Sequence, residues 1–237
     1  LDVAANNLAN ATTTAFKPDW VIARERSPER LTGSVPGAPP QPILERLGGG
    51  IQINPTRTDF RQGGFRTTSK PLDLALNGAG FMVVRDRQGA LALTRDGRLE
   101  LDATGRLVMA NSGATVLNRD GDPIVIDRSR PITVFEDGTI SQGEGTLSQL
   151  ALVDVASQAL RKRGDGLYTA DALNSVIRRN GLPPLPEASA TVVQAAVEES
   201  AVDPISELVS VMKSTRAFEA GTNLIRQQDQ ITRRSME

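Results

Sequence analysis

The residue types that most often carry enzymatic chemistry are scarce in this chain. Its 237 residues include no cysteine and no histidine, which excludes thiolate nucleophiles, disulfides and histidine general bases. Carboxylates remain, and Asp73, Asp96 and Asp102 lie within one stretch of alternating sequence. They would form a hydrolytic pair only if the fold brought two of them to one cleft. We therefore predict no catalytic residue and keep a carboxylate hydrolase as one alternative.

Three further patterns suggest binding sites but are better explained as local structure. GAGF at 78–81 lacks the third glycine and the following helix of a dinucleotide loop, so it predicts a turn. The Asp-Gly pairs at Asp96, Asp120 and Asp137 lack the spacing of a calcium loop and predict hairpin turns. No aromatic residues interleave with the basic cluster 161–163, which makes base stacking improbable. We expect no cofactor, no metal and no nucleic-acid partner.

Overall charge and hydropathy also limit the possible partners. The formal net charge is −1, so no general electrostatic attraction to nucleic acid or anionic lipid exists. No apolar run is long enough to cross a bilayer, and no signal-peptide core is visible, so we expect no direct membrane insertion. Leu1 falls inside a helical pattern, which suggests that residues preceding it were removed.

The middle of the chain has the pattern of an antiparallel β domain. Between 58 and 155, short runs of period 2 such as FMVVR, LALT and RLVMA are separated by Gly with Asp or Asn. In LDLAL at 72–76 the leucines should point one way and Asp73 the other. Since no helix-length pattern interrupts these runs, a sandwich or irregular barrel is expected rather than a βαβ fold.

The N-terminal residues predict a short helix that needs a partner. Apolar residues at i, i+3, i+4 and i+7 form one face, asparagines lie beside it, and the helix should end near Asn10. So short a helix is marginal in water by itself. The residues that we expect to contact other helices are Leu1, Ala4, Ala5, Asn6, Asn7, Leu8 and Asn10.

The C-terminal residues predict a much longer helix. Asp203 is a favoured N-cap and Pro204 a favoured first helical residue, and only Gly221 interrupts the pattern as far as about Met236. This length corresponds to about 50 Å, which is more than a small β domain can cover. The residues that we expect to face other helices are Ile205, Leu208, Val209, Met212, Arg216, Phe218, Leu224 and Ile225.

These patterns divide the chain into five segments. Residues 1–17 form an N-terminal helix with its Asn/Thr-rich exit, and 18–57 form an extended connector rich in Pro and Gly. Residues 58–190 form the β domain, 191–202 a return strand, and 203–237 the C-terminal helix. The expected fold class is mainly β, with terminal helices that pair as a coiled-coil-like stalk.

Several blocks of this sequence resemble one protein family. LDVAANNLANATTTAFK resembles the N-terminal signature of bacterial flagellar rod and hook proteins, close to L-x-x-x-A-N-N-[LIV]-A-N-x-x-T-x-[GA]-[FY]-K. PLDLALNGAGFMVV is similar to P-L-D-L-A-[IL]-x-G-x-G-F-[FM]-V-V, and LTRDGRLELDATGRLV to a Y-T-R-[ND]-G segment. RAFE at 216–219 resembles the family's closing helix. These blocks occur in the family's order, which a single motif would not reproduce.

The resemblance implies an architecture and a set of partners. Terminal helices would pair in the inner wall of a tube with the β domain outside it, and copies of this chain and homologous rod subunits would assemble into a periplasmic rod that transmits motor torque. Export would use the flagellar export apparatus, without a cleaved signal peptide and without a small-molecule substrate. The compact VLNRDGDPIVI segment is most like the proximal-rod subunit of intermediate length. The distal-rod paralogue is the alternative.

A different class of protein would use the same elements in another way. A secreted adhesin would bind glycan or protein through the β domain and use the long helix as a stalk. It should show aromatic side chains or a calcium cluster on its loops, and the sequence shows neither pattern. We therefore predict a structural rod subunit and no enzymatic activity.

Overall fold

The structure is a computed structural model that describes residues 1–25, 51–53, 55–143, 145–170 and 188–234. Within these ranges the fold is mainly antiparallel β, with a short helix at the N-terminal end and a long helix at the C-terminal end. The predicted fold class is confirmed. The described strands form several open sheets and no closed barrel.

The strands are short, as the closely spaced turn residues predict. Their bounds are β1 Asp19–Trp20, β2 Ala23–Glu25, β3 Ile51–Ile53, β4 Arg57–Thr58, β5 Phe65–Thr67, β6 Leu74–Asn77, β7 Phe81–Arg85, β8 Leu91–Thr94, β9 Leu99–Leu101, β10 Leu107–Met109, β11 Thr115–Val116, β12 Ile132–Val134, β13 Thr139–Gln142, β14 Gly145–Gln149, β15 Leu152–Val153, β16 Leu160–Gly164, β17 Leu167–Ala170, β18 Thr191–Gln194 and β19 Ala196–Glu198. A single 3₁₀ turn, Ser157–Ala159, precedes β16.

The N-terminal helix ends and the C-terminal helix begins where the sequence predicts, and the predicted end of the C-terminal helix near Met236 lies outside the described residues. Helix α1 spans Asp2–Ala9 and is followed by Asn10, whose N–H bonds back into the last turn. Helix α2 spans Pro204–Arg234, which is 31 residues or about 46 Å. Asp203 caps it, since its Oδ1 accepts the Ile205 N–H at 3.1 Å. This bond satisfies one of the free N–H groups at the helix start.

The largest sheet has the strand order β16-β17-β8-β7-β11-β10-β9, and β15 also pairs with β7. Its pairs are antiparallel: β7–β8, β9–β10, β10–β11 and β16–β17 join neighbours in sequence, whereas β7–β11, β7–β15 and β8–β17 join strands that are not consecutive. The turn at 78–81 contains Gly78 and Gly80 with φ of 107° and 149°, so the prediction of a turn is confirmed. Asp120 and Asp137 each precede a glycine of positive φ, as expected for hairpin turns.

Smaller sheets connect distant parts of the chain to this one. Strands β12-β13-β14 form a three-stranded sheet, β18 pairs with β6, and β19 pairs with β5. The segment predicted as a return strand is thus hydrogen-bonded to the β domain along its length. Before the domain, β1 pairs with β4 and β2 with β3. Residues 26–50 of the predicted connector lie outside the described residues.

Two clusters of buried apolar side chains form the core. The larger one includes Leu76, Met82 and Ile140, and the smaller one includes Val83 and Leu93, on the opposite face of β7 and β8. Because both faces of these strands are covered, apolar side chains are buried on both faces, and buried residues do not alternate with exposed polar ones. Leu74 and Leu76 belong to the larger cluster and Leu72 packs against it, as the alternation in LDLAL predicts. Asp73, on the other side of the strand, is nevertheless buried, with only 5% of its surface exposed.

Truncation of a buried leucine should test this core. Leu93 is 0% exposed in the smaller cluster, so Leu93→Ala should lower the free energy of unfolding by about 2–5 kcal/mol. Leu147→Ala is the matched control, because Leu147 is 44% exposed and its loss should change stability by less than about 0.5 kcal/mol. Urea titration of both variants measures the difference. Equal midpoints would contradict this description of the core.

Candidate assembly interface

Helix α2 carries exposed apolar side chains along its length, which we call the apolar row although they lie on more than one face of the helix. Ile205 and Phe218 are each 76% exposed, and Leu208 and Met212 are half exposed. Helix α1 packs against the first turns of α2, on the side of Glu207 and Val211. The remaining predicted contact residues on α2 are all exposed: Val209, Arg216, Leu224 and Ile225. Exposed apolar surface on this scale marks an interaction site in soluble proteins.

On α1 the predicted contact residues divide into two groups. Leu1 is 65% exposed, and Ala5 and Asn6 are exposed as well. Ala4, Leu8 and Asn10 are half-buried. Asn10 donates from Nδ2 to the Asn6 carbonyl at 2.9 Å and accepts the Thr13 hydroxyl, so its amide already terminates the helix.

Asn7 is buried, and its amide joins α1 to α2. Its Oδ1 accepts the Asp19 N–H at 3.0 Å and its Nδ2 donates to the Asp19 carbonyl at 2.9 Å. Nδ2 also donates to Glu207 Oε1 at 3.0 Å. The asparagines of the opening stretch therefore act within the chain: they close α1 and hold it beside the base of α2.

A buried cluster of charges lies beneath the two helices, and we call Lys17, Glu198 and Arg95 the charge triad. Lys17 Nζ lies 2.5 Å from Glu198 Oε1, and both side chains are 0% exposed. Arg95 Nε donates to Glu198 Oε2 at 2.9 Å. Burial lowers the pKa of the Lys17 ammonium from its ordinary value, while Glu198 acts in the opposite direction. Each charge faces a partner, as a buried ion requires.

Arg95 ties the charge triad to the β domain. Its guanidinium donates to the carbonyls of Leu76, Gly78 and Gly80 at 2.9–3.2 Å, around the turn between β6 and β7. Lys17 Nζ donates to the Arg61 carbonyl at 2.6 Å as well. The two cations of the triad therefore donate four hydrogen bonds to backbone carbonyls, in addition to the two that they donate to Glu198.

A second ion pair holds the exit segment, which we define as residues 10–20. Lys162 Nζ, on β16, lies 2.9 Å from Asp19 Oδ2 and donates to the Lys17 carbonyl. It also lies 4.3 Å from the centre of the Phe16 ring, a cation–π contact. Thr58 donates its hydroxyl to Asp19 Oδ1 at 2.6 Å. Hairpin β16–β17 is thereby fastened to the exit segment.

Asp96 differs from the hairpin aspartate that the sequence predicts. It is 2% exposed and accepts the Thr14 hydroxyl at 2.9 Å, and it pairs with Arg98 at 2.8 Å. Gly97 is required for close approach instead of positive φ, because a Cβ there would lie 1.5 Å from the Leu74 carbonyl oxygen. The prediction of a simple turn at Asp96 is wrong, since this carboxylate anchors the exit segment.

Sequence reasoning missed the residues that matter most at this site. The sequence does not predict Lys17, Arg95 or Glu198 as site residues. Lys17 and Arg95 lie in blocks that resemble the rod and hook family, and Glu198 lies in the predicted return strand. Glu198 and Glu199 together end the run TVVQAAVEE, and nothing local distinguishes the buried carboxylate from its exposed neighbour. Lys162, in the basic cluster 161–163, is partly buried against Asp19, a contact that the sequence does not predict.

Two kinds of site are not found in the described part of the chain. Within it, no group of three or more acidic side chains lies close enough to hold a metal ion. The helices of that part also include none that is long and apolar enough to span a bilayer. The main candidate interface is therefore the apolar row on α2, and buried charges hold the segment that precedes this helix.

Family models match two regions of the chain. A model described as the flagellar hook protein FlgE/F/G D1 domain matches 75–142, which contains Arg95 and Asp96. A model described as the flagellar basal body rod FlgEFG protein C-terminal region matches 193–237, which contains Glu198 and α2.

Flagellar basal-body rod proteins are similar in sequence to this chain over nearly its whole length. It is 33% identical to the flagellar basal-body rod protein FlgF of Caulobacter vibrioides, over 100% of this chain and 90% of that protein. It is 26% identical to FlgG of the same organism, over 98% of this chain and 90% of that protein. It is 28% identical to FlgF of Salmonella typhimurium, over 96% of this chain and 87% of that protein. These relatives give no support to the adhesin alternative.

The cap of α2 should make the helix sensitive to acid. Hydrogen bonds from the Ser206 hydroxyl and the Ile205 N–H hold the pKa of Asp203 below its ordinary value. A carboxylate with a lowered pKa stabilises the folded state above its unfolded pKa and loses this effect as pH falls through the folded pKa. Circular dichroism should therefore show α2 weakening below about pH 4.

Asp203→Asn retains an N-capping side chain but has no charge to lose, so this part of the acid dependence should be reduced. Asp229→Asn, an exposed substitution far along α2, is the control and should leave the profile of the parent unchanged. Identical acid profiles for the Asp203→Asn variant and the parent would refute the role of the cap.

Proposed function

This chain belongs to the flagellar basal-body rod protein family and is a structural subunit of that rod, and on this premise we propose that it builds the proximal rod. In that position it would be part of the periplasm-spanning shaft that transmits motor torque. The observation that carries the proposal is the exposed apolar row on α2, since a single chain leaves it uncovered along most of the helix. Neighbouring subunits would cover it.

The choice between the two rod paralogues rests on comparison within one organism. The chain shares 33% of its residues with the FlgF protein of Caulobacter vibrioides and 26% with the FlgG protein, over nearly equal lengths. This difference favours the FlgF type, which we equate with the proximal-rod subunit that the sequence resembles. The FlgG type, as the distal-rod subunit, is the alternative.

The interface that we propose is the terminal-helix surface. Burial of one large apolar side chain contributes about 1.5–3 kcal/mol, so a row of them suffices to hold stacked copies together. Partners would be copies of this chain and homologous rod subunits. The proposed contact residues are Leu1, Ala4, Ala5, Asn6, Leu8 and Asn10 on α1, and Ile205, Leu208, Val209, Met212, Arg216, Phe218, Leu224 and Ile225 on α2. The predicted contact residue Asn7 is not among them, because it is buried and its amide binds within the chain.

We further propose how the subunit reaches the rod and what it does not do. It would leave the cell largely unfolded through the flagellar export apparatus, without a cleaved signal peptide, and lie in the periplasm. A chain without cysteine cannot be crosslinked by disulfides before or during passage. We propose that it has no enzymatic turnover, in keeping with the structural role of its family.

A charge placed in the apolar row should block assembly and spare the β domain. Leu208 is half exposed in the free chain, so Leu208→Asp should leave the thermal melt nearly unchanged. In the assembled rod the carboxylate would be buried without a partner, at a cost of several kcal/mol in every subunit. A swimming assay in cells that lack the native protein should show loss of motility.

Ser210→Asp is the matched control, since it adds the same charge on the opposite side of α2, at an exposed polar position. Cells with this variant should swim normally. Normal swimming of the Leu208→Asp cells would remove α2 from the subunit interface and would refute the proposal.

Loss of one amide should act more mildly than loss of the apolar row. Asn10→Ala removes a donor to Asn6 and an acceptor for Thr13 at the end of α1. One such loss costs about 1–3 kcal/mol when the partner remains buried. We expect partial motility, measured as reduced spreading in soft agar. Complete loss of swimming by Asn10→Ala would show that this end of α1 contributes more than hydrogen bonding.

A further inference from the structure

We infer that the charge triad is a positioning device, which fixes the direction in which both terminal helices leave the β domain. The inference rests on the proposed function, because the direction of the helices matters only if they pack against other subunits. Lys17, Glu198 and Arg95 would thus be positioning residues for assembly, although none of them is exposed to contact a neighbour.

The triad lies where the two ends of the chain meet. Glu198 ends β19, just before α2, and Lys17 lies in the exit segment just after α1. Backbone hydrogen bonds connect these segments directly: the Ala15 N–H donates to the Glu198 carbonyl at 2.9 Å, and the Ala201 N–H donates to the Phe16 carbonyl at 3.0 Å. The Lys17–Glu198 ion pair therefore joins the segment that follows α1 to the segment that precedes α2.

The same carboxylate also fixes this junction to the β domain. Glu198 Oε1 accepts the Gly63 N–H at 2.9 Å, and Oε2 accepts Arg95, which is bound to three carbonyls of the turn after β6. Charged hydrogen bonds have defined directions and lengths, whereas an apolar cluster of similar volume tolerates sliding. The triad thus defines an orientation, and packing alone would not.

Backbone strain in the exit segment supports this interpretation. Ala15 adopts φ of 53°, in the left-handed region that a residue with a Cβ rarely occupies. Strain of this kind persists where surrounding contacts determine the conformation. Here the N–H of Ala15 itself and the ammonium of Lys17, two residues later, both bind residue 198. The bend at Ala15, held by these contacts with residue 198, fixes where α1 packs against α2.

Distance measurements in the isolated protein can test the positioning directly. Because the chain has no native cysteine, Glu100→Cys and Gln227→Cys provide unique sites for two spin labels. Both positions are exposed, one on β9 and the other far along α2. The Lys17→Met change removes the ammonium and keeps much of the buried volume. We expect a cooperative melt of the β domain, and a distance distribution at least twice as broad as that of the parent.

Lys70→Met is the matched control, because Lys70 is exposed and this variant should keep the narrow distribution. An unchanged distribution in the Lys17→Met protein would overturn the inference. Loss of the cooperative melt would also overturn it, because the triad would then stabilise the whole domain instead of orienting the helices.

Chemical rescue separates the charge from the volume of the side chain. Lys17→Cys, alkylated with 2-bromoethylamine while unfolded, forms a C–S bond with loss of bromide and restores an ammonium at nearly the original length. After refolding, amide exchange at Ala15 and Ala201 should be slow in the alkylated chain and at least tenfold faster in the unmodified variant. Equal rates would contradict a role for the charge.

These measurements use isolated protein, so they do not depend on rod assembly. If the Leu208→Asp cells swim while the Lys17→Met distribution broadens, the proposed interface is wrong and the triad still orients the helices. If the Leu208→Asp cells stop swimming and the distribution does not change, the interface stands and the positioning inference fails.

Discussion

The structure depends on one buried carboxylate that is shared by two cations. Glu198 is inaccessible to solvent and lies within 2.9 Å of both Lys17 and Arg95. Burying an ion costs free energy unless the ion is paired and hydrogen-bonded. The native positions of both terminal segments therefore require these three residues to be in contact. This carboxylate thus links the two terminal segments to each other and to the β domain, although its partners are separated from it by 181 and 103 residues in sequence.

Around this point the chain divides its polar and apolar groups between two tasks. Polar side chains such as Asn7, Asp19 and Lys162 have partners within the chain and fasten the helix bases to the β domain. Large apolar side chains on α2, such as Phe218 and Leu224, remain exposed. This division suits a subunit in which the chain itself satisfies the polar groups near the start of α2 but leaves the apolar side chains along α2 uncovered. Membership of the rod family accounts for the second property.

The β domain is stabilised by ordinary means and makes a rigid platform. Side chains of two apolar clusters cover both faces of β7 and β8, and the rings of Phe60, Phe81 and Tyr168 pack edge to face in the smaller one. Burial raises the pKa of the Tyr168 hydroxyl well above its ordinary value. Arg95 begins in this platform and ends at Glu198, so it links the sheets to the junction, together with the Gly63 N–H and the pairing of β19 with β5.

The sequence by itself determined the class of the fold, the end of α1 and the start of α2, the hairpin turns at Asp120 and Asp137, and the family. These properties follow from local periodicity, capping and turn residues, which neighbouring positions specify without the rest of the chain. Only the tertiary structure decided that Asp73 and Asp96 are buried and that Lys17, Arg95 and Glu198 meet. Burial of a charge depends on what covers it, and here the covering elements are distant in sequence and paired through long-range contacts that no local pattern encodes.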